Sequence, residues 1–375
     1  MNTAAVPERY NKTTLNALAY KSYFCPMRQC RQILFFTLLF VAKLPAQIGG
    51  NATYEFLNLP FSARTASLGG NLICVKDDDI NLIAQNPSLL NSTMSNKLAL
   101  NYINYFSDVN YGYTTYARSF EGIGNFSAGM QFLDYGKFTR ADETGTTDGT
   151  FRASEYCLNL GYSHAIDTMF SVGAQLKTIY SVLDSWYSIG NAVDIGATWY
   201  NSQRNLCIAG VVKNMGMQWR TYVETREKLP FEVQMGISGK PKHAPFRVSL
   251  IATHLEKWDL TYIDPANPPL TEDPLTHEPI KQSKVKQFGD KLLRHGIFGG
   301  ELLLTKNFNI RLGYNYERRQ ELKLDTRPGL VGFSFGFGIK ISKFQLSYGH
   351  ASYHLAGGSN HFTVTTNLAD FYRKK

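Results

Sequence analysis

The sequence predicts an all-β fold: a fourteen-stranded antiparallel transmembrane β-barrel with a small N-terminal plug or periplasmic segment. Three observations predict it. Apolar and polar residues alternate with period two over most of the chain, the number of alternating segments is even, and the long connections all follow odd-numbered segments. The composition agrees, because 22 Tyr, 24 Phe and 31 Gly accompany only 18% charged residues, and aromatic residues favour strands.

The alternation is clearest in residues 330–341. One face carries phenylalanine and the other serine or glycine: Phe333, Phe335 and Phe337 against Ser334, Gly336 and Gly338. Period two is the signature of a strand, and an apolar face opposite a polar, glycine-rich face is typical of lipid outside and a polar lumen inside. We therefore expect an arginine at position 334 to be milder than one at position 335, unless the lumen is tightly filled.

Fourteen segments follow this pattern. They span 97–106, 110–120, 123–134, 151–164, 168–183, 187–200, 205–214, 231–241, 245–262, 296–305, 307–317, 330–341, 343–353 and 359–370. An even number places both ends of a closed antiparallel barrel on the same side, and closure removes the unpaired edges that lipid would not satisfy.

The long predicted connections are 135–150, 215–230, 263–295 and 318–329. Bacterial barrels have long external loops and short periplasmic turns, so we expect these four loops at the cell surface. The longest holds five of the fourteen prolines and a predicted short amphipathic helix between Val285 and Phe298.

The external loops are the predicted partner-binding surface, because only that side reaches a surface protein. The predicted anchors are Trp219, Tyr222, Pro268, Pro269, Phe288 and Leu292. The alternative is that these side chains only pack the barrel mouth. A basic group would meet lipopolysaccharide phosphates or an acidic partner, unless it is simply a solvated loop face: Lys281, Lys284, Lys286, Lys291 and Arg294.

Residues 1–46 are predicted to be a signal peptide, with Met27 as the true initiator. The apolar run 33–42 follows Arg28 and Arg31 and is too short to cross a bilayer as a helix. The leader also carries most of the formal charge of +9, since the rest of the chain carries only about +4. We therefore expect export to the outer membrane and no nucleic-acid binding. Residues 47–96 lack alternation and form the plug or periplasmic segment, and 97–375 form the barrel.

The sequence offers no residues for catalysis, a metal or a cofactor. Ser283 and Lys286 satisfy the Ser-x-x-Lys motif of penicillin-binding enzymes, but the tetrapeptide lies in a charged loop and the companion motifs Ser-Asp-Asn and Lys-Thr-Gly are absent from the sequence. We therefore attribute the match to chance. The acidic run 77–79 is either a cation site or a helix N-cap. Three cysteines follow the leader, Cys74, Cys157 and Cys207, and they are too few and too far apart for a disulfide framework. A non-enzymatic protein is predicted.

Residues 56–71, FLNLPFSARTASLGGN, are followed by the acidic run 77–79 and by NPSLL at 86–90. This pattern resembles the N-terminal signature of the PorV/PorQ family, and HFTVTTNL at 361–368 is similar to the PorQ branch. The resemblance implies a FadL-like barrel in the outer membrane of Bacteroidota, within the type IX secretion system. There it would scaffold the attachment complex by holding a PorZ-like surface protein near the PorU sortase and PorV.

Two other functions are consistent with the same sequence. One is a FadL-like channel for hydrophobic solutes, which an apolar lumen pocket or a lateral gap would favour. The other is a PorV-like cargo shuttle. In each case the partners include outer-membrane lipid or lipopolysaccharide, and no cofactor is expected.

Overall fold

The structure is a computed structural model of the chain, and it describes residues 52–105, 109–261, 283–322, 329–354 and 357–372. Fourteen strands form a closed antiparallel barrel in which sequence neighbours pair and β1 pairs with β14. The predicted fold class is confirmed. The strands are β1 Lys97–Asn104, β2 Asn110–Phe120, β3 Gly124–Ala141, β4 Thr147–Ala165, β5 Phe170–Leu183, β6 Trp186–Asn201, β7 Leu206–Arg220, β8 Glu232–Gly239, β9 Phe246–Ala252, β10 Gly296–Leu302, β11 Phe308–Asn315, β12 Phe333–Ile341, β13 Phe344–His354 and β14 Gly357–Asn367.

One predicted loop is wrong. Residues 135–150, expected to be a long connection, mostly continue β3 and β4, and only residues 142–146 connect the two strands. The pairing persists because Phe138 lies opposite Phe151 and the two rings stack with centroids 5.2 Å apart. Cross-strand aromatic pairs of this kind stabilise a hairpin.

The ninth strand is shorter than predicted. It ends at Ala252 instead of continuing to residue 262. His254 adopts a φ of +53°, a left-handed conformation that an extended strand does not allow. The chain therefore turns away from the barrel wall directly after β9.

The two ends of the barrel differ in their connections. Turns after even-numbered strands are short, and β1 begins and β14 ends on that same side. This is the periplasmic end by the rule for bacterial barrels. The opposite, external end carries helices α2 Lys284–Arg294 and α3 Tyr316–Leu322, while α4 Ala369–Tyr372 follows β14. Helix α2 corresponds to the amphipathic helix predicted after Val285. None of the helices in the described ranges is long and apolar enough to cross a membrane.

The outer surface of the wall is apolar. Phe335 is 45% exposed on this surface, whereas its neighbour Ser334 is 1% exposed and faces inward. The same alternation of exposed and buried residues runs along β4 and β5. An outward apolar band around a closed barrel identifies a transmembrane barrel, and the predicted register of β12 is confirmed.

Residues 52–96 fill the lumen as a plug. They form helix α1 Ala63–Ser67 and four short 3₁₀ helices, Glu55–Asn58, Ile80–Ala84, Pro87–Leu89 and Ser92–Met94. The chain enters at the external mouth, where Ala52 bridges Lys228 in the loop after β7, and leaves at the periplasmic end, where β1 begins. Leu72 and Ile73 are fully buried between plug and wall.

Candidate functional site: the plug, the lumen and the external rim

Glycines of the inner wall bring the plug backbone into direct contact with the barrel. A Cβ at Gly313 would lie 2.3 Å from the amide nitrogen of Gly69, and a Cβ at Gly349 would lie 2.2 Å from the carbonyl oxygen of Ala63. Real Cβ atoms do not approach backbone this closely, so only glycine fits. The polar, glycine-rich face seen in the sequence is therefore the surface on which the plug packs.

A buried cluster of charges joins the plug to the wall near the periplasmic end. Arg64 of α1 donates from Nε to Glu301 Oε1 at 2.8 Å and from Nη2 to Glu301 Oε2 at 2.9 Å. It also binds Asp77 at 2.8 Å and Asp79 at 3.2 Å. Arg247 of β9 donates to Glu301 and Asp77. Buried charges of this kind require partners, and here the partners come from both plug and wall.

The acidic run 77–79 thus has a structural role. Asp79 accepts a hydrogen bond from the Asn81 amide at 3.1 Å and caps the following 3₁₀ helix, as the N-cap alternative predicted. Asp78 pairs with Lys97 at the start of β1. Within the described ranges no three or more His, Cys, Asp or Glu side chains are arranged to hold a metal ion.

A β-bulge between β6 and β7 forms a second polar link. Asn214 has a φ of +57° there, and its amide donates to Asp194 Oδ1 at 2.7 Å. Lys177 binds Asp194 Oδ2 and Asn214 Oδ1, each at 2.7 Å. The side-chain Nδ2 of Asn214 also donates to Asn58 Oδ1 of the plug at 2.9 Å. Bulges re-aim side chains in this way, and this one directs polar groups onto the plug.

An apolar cluster of plug and wall residues lies in the external half of the lumen. A single buried cluster combines plug and wall residues: Tyr54, Phe56, Leu57, Phe61, Ile103, Tyr111, Tyr113, Leu133 and Ile179. Phe61 of the plug packs on Tyr113 of β2 with ring centroids 4.5 Å apart. If the plug were absent, the apolar wall residues of this cluster would face an open lumen.

At the external rim, α2 presents an apolar face to its surroundings. Val285 is 81% exposed, Phe288 57% and Leu292 51%. The helix is tied to the segment after β9, because Lys291 binds Asp259 at 2.6 Å and Phe288 packs on Trp258 with ring centroids 5.5 Å apart. The Lys291 ion pair lowers the pKa of Asp259 to about 2.

A partly buried group of charged residues lies at the start of the segment that follows β9. His254 Nδ1 lies 3.2 Å from Glu256 Oε1, and Glu232 lies 3.7 Å from His254 Nε2. Burial opposes the charged imidazolium, but the hydrogen bond with Glu256 and the charges of Glu232 and Glu317 outweigh it and raise the pKa of His254 to about 9. Burial raises the pKa of Glu317, on α3, to about 7.

The predicted anchors have different positions. Trp219 is 68% exposed at the external end of β7, and Phe288 and Leu292 share the exposed face of α2. Tyr222 is half-buried, because it packs on the apolar plug cluster and its hydroxyl donates to Ser181. Tyr222 therefore packs the barrel mouth, which was the alternative to a partner-binding role.

The residues of the predicted basic group differ in their contacts. Lys291 and Arg294 form ion pairs with Asp259 and Asp290, whereas Lys284 and Lys286 are exposed. Pro268, Pro269, Lys281 and the leader with Met27 lie outside the described residues. Three cysteines, Cys74, Cys157 and Cys207, are buried and unpaired, so no disulfide joins the plug to the wall.

Comparison with known proteins gives similarities of structure only. No protein-family model matches the chain, and no curated protein matches it. Among solved structures, the toluene transporter TbuX of Ralstonia pickettii has a TM-score of 0.47 at 11% identity, over 83% of this chain and 98% of that one. The toluene transporter TodX of Pseudomonas putida also has a TM-score of 0.47 at 11% identity, over 82% and 96%. A Pseudomonas aeruginosa FadL homologue has a TM-score of 0.44 at 11% identity, over 82% and 98%.

Proposed function

We propose that this barrel is an outer-membrane channel for hydrophobic solutes and that its own N-terminal plug closes it. The apolar cluster in the external half of the lumen carries the proposal. Ile103, Leu133 and Ile179 lie on the inner face of the wall, where a water-filled pore would carry polar side chains. Removing apolar surface from water is favourable, so a lumen of this kind favours either the plug or an apolar solute.

The plug consists of short helices and irregular segments, which would allow it to rearrange. Its helices have three to five residues each, and among the described residues it forms an isolated β-bridge to the wall between Ala52 and Lys228. Segments without regular pairing open at lower free-energy cost than strands do. Displacement of the plug by a solute would expose the apolar wall that the plug now covers.

A reversible disulfide between plug and wall tests the channel. The hydroxyl oxygens of Ser88 in the plug and Thr198 in β6 are 2.7 Å apart, so cysteines at these two positions would place their sulfur atoms next to each other. The double variant Ser88→Cys/Thr198→Cys should take up a hydrophobic fluorescent dye across the outer membrane when reduced and lose that uptake when oxidised. The single variants Ser88→Cys and Thr198→Cys are the controls, and oxidation should leave their uptake unchanged. Equal uptake by the oxidised and reduced double variant would contradict a plug-gated channel.

The exposed apolar face of α2 supports a second candidate function, that of a surface scaffold. In this case the barrel would hold a PorZ-like surface protein near a PorU-type sortase and PorV in the type IX secretion system. Large exposed apolar side chains at the centre of a patch are typical interface anchors. A cargo shuttle of the PorV type would use the same face transiently.

The scaffold is tested by the triple variant Val285→Ser/Phe288→Ser/Leu292→Ser. Co-purification of the surface partner from membranes should fall strongly, while hydrophobic dye uptake should stay unchanged. The control is Ile166→Ser, which removes an exposed apolar side chain from a periplasmic turn. Partner recovery equal to wild type in the triple variant would exclude α2 from the interface.

The proposal includes where the protein is located and how it is processed. The protein is exported by a leader that is cleaved after Ala46, inserted into the outer membrane among lipopolysaccharide, and performs no catalysis. Fractionation should recover it in the outer membrane, and N-terminal sequencing of that material should begin at Gln47. A product that begins at Met27 would contradict the cleavage.

A further inference from the structure

A polar cavity of about 210 Å³ lies at the periplasmic end of the lumen, between the plug and strands β9 to β13. Its lining includes five basic side chains, Arg64, Arg247, Arg311, Lys306 and Lys340, and four acidic ones. Lys97, which binds Asp78 of the lining, adds a sixth cation. The cavity therefore has an excess of positive charge.

Every carboxylate of the cavity already has a cationic partner. Glu301 is held by Arg64 and Arg247, Asp77 by the same two arginines, Asp79 by Arg64 and Asp78 by Lys97. A cation entering the cavity would compete with these arginines for each oxygen. The acidic side chains thus provide no vacant site for a positively charged ligand.

The basic side chains are not all satisfied. The Arg311 side chain is 2% exposed, and its Nε lies 3.3 Å from Glu301 Oε1 in an ion pair. Nε and Nη1 nevertheless have no hydrogen-bond partner among the described residues. A buried guanidinium without hydrogen bonds is costly. Lys306 and Lys340 are exposed at the mouth of the cavity and form no ion pair with any described residue.

We propose that this cavity binds a small oxyanion of the phosphate or carboxylate type. Arg311 would bind the anion from the closed end, and Lys306 and Lys340 from the mouth, because guanidinium and ammonium groups form their strongest hydrogen bonds with such oxygens. Because Arg311 lines the cavity, the anion would place negative charge beside its guanidinium group. It would also bind plug and wall together, because Arg64 of the plug lines the same cavity.

Titration calorimetry on the purified full-length protein in detergent tests the site, with inorganic phosphate in one arm and acetate in the other. Saturable binding of either anion is expected, and the stronger of the two identifies the ligand class. Lys306→Gln/Lys340→Gln should weaken the affinity about tenfold or more. Lys242→Gln, which removes an exposed lysine from another periplasmic turn, should bind as wild type does.

Two outcomes would overturn the site. One is no saturable binding of either anion, and the other is equal affinity in the Lys306→Gln/Lys340→Gln and Lys242→Gln variants. Arg311→Met keeps the length of the side chain without its charge and should lose binding altogether. If Arg311→Met does not fold, the double lysine variant decides, because both of its positions are exposed.

Discussion

Gly313 on β11 faces Gly69 of the plug so closely that a Cβ at position 313 would lie 2.3 Å from the Gly69 nitrogen. Gly313→Ala should therefore push the plug off its seat and cost about 1–3 kcal/mol, as overpacking does in other cores. Gly300→Ala is the matched control on the neighbouring strand, because a Cβ there meets nothing closer than 4.0 Å. Thermal unfolding in detergent and hydrogen exchange of residues 63–70 measure the effect. Equal stability of the two variants would show that the close contact between Gly313 and the plug does not require glycine.

The ion pair between Arg64 and Glu301 should dominate the attachment of the plug. Arg64→Leu leaves Glu301 and Asp77 with too few cations in a buried site, and breaking such a cluster costs about 3–5 kcal/mol. Arg140→Leu breaks the exposed pair with Asp184 and should cost about 0–1 kcal/mol. Limited proteolysis of the plug should be faster in Arg64→Leu only. Similar proteolysis rates would mean that the cluster does not hold the plug.

An arginine at either Phe335 or Ser334 should be damaging, for different reasons. Phe335→Arg places a charge in lipid and should cost about 2–4 kcal/mol near mid-membrane. Ser334→Arg, expected from the sequence to be milder in an unfilled lumen, collides with the plug, because Ser334 Oγ accepts a hydrogen bond from the Gly69 amide at 3.0 Å. The two variants should therefore differ in plug accessibility to protease, which rises only for Ser334→Arg. A rise in both would place residue 335 against the plug.

The loop around His254 should loosen as pH rises. The folded-state pKa of His254, about 9, is above its usual value near 6.5, so its charged form stabilises the fold below pH 6.5 and that contribution is lost as pH rises through 9. Glu317 acts in the same direction, because its raised pKa of about 7 makes its ionisation between about pH 4.5 and 7 unfavourable. Hydrogen exchange in residues 253–261 should accelerate over this range, after correction for its intrinsic pH dependence. His254→Gln should show a flatter profile between pH 6.5 and 9, and an unchanged profile would exclude His254 as the cause.

The path of the plug predicts the side of the membrane on which the plug enters the barrel. The Thr53 amide donates to the Lys228 carbonyl at 2.9 Å at the external mouth, so an epitope inserted directly before Ala52 should be labelled by antibody on intact cells. The same epitope inserted at residues 167–168, in the periplasmic turn between β4 and β5, should be labelled only after permeabilisation. Labelling of both only after permeabilisation would reverse the assigned orientation of the plug.

The sequence predicted the wall better than its contents, for a physical reason. The alternation of residues such as Phe333 and Ser334 can be recognised within a single strand, because it depends only on whether each side chain faces lipid or the lumen. The bond between Arg64 and Glu301 joins positions 237 residues apart, and no local pattern links two such residues. The charged residues on the inner faces, Glu301 and Arg311 among them, were the one available signal, because a buried charge requires a partner. The extension of β3 past residue 134 was missed because Gly136 and Lys137 interrupt the alternation at a bulge.

The seam between β1 and β14 has a consequence for how the protein is made. Its eight residue pairs, from Lys97 with Asn367 to Asn104 with Asn360, join segments that the ribosome produces first and last within the barrel. A product that stopped before residue 357 would have thirteen strands and two open edges, whose backbone groups lipid cannot satisfy. Closure therefore selects complete chains, because only a chain translated to the last strand becomes stable in the membrane. The large sequence separation also makes closure slow, which leaves prematurely terminated chains available to periplasmic proteases.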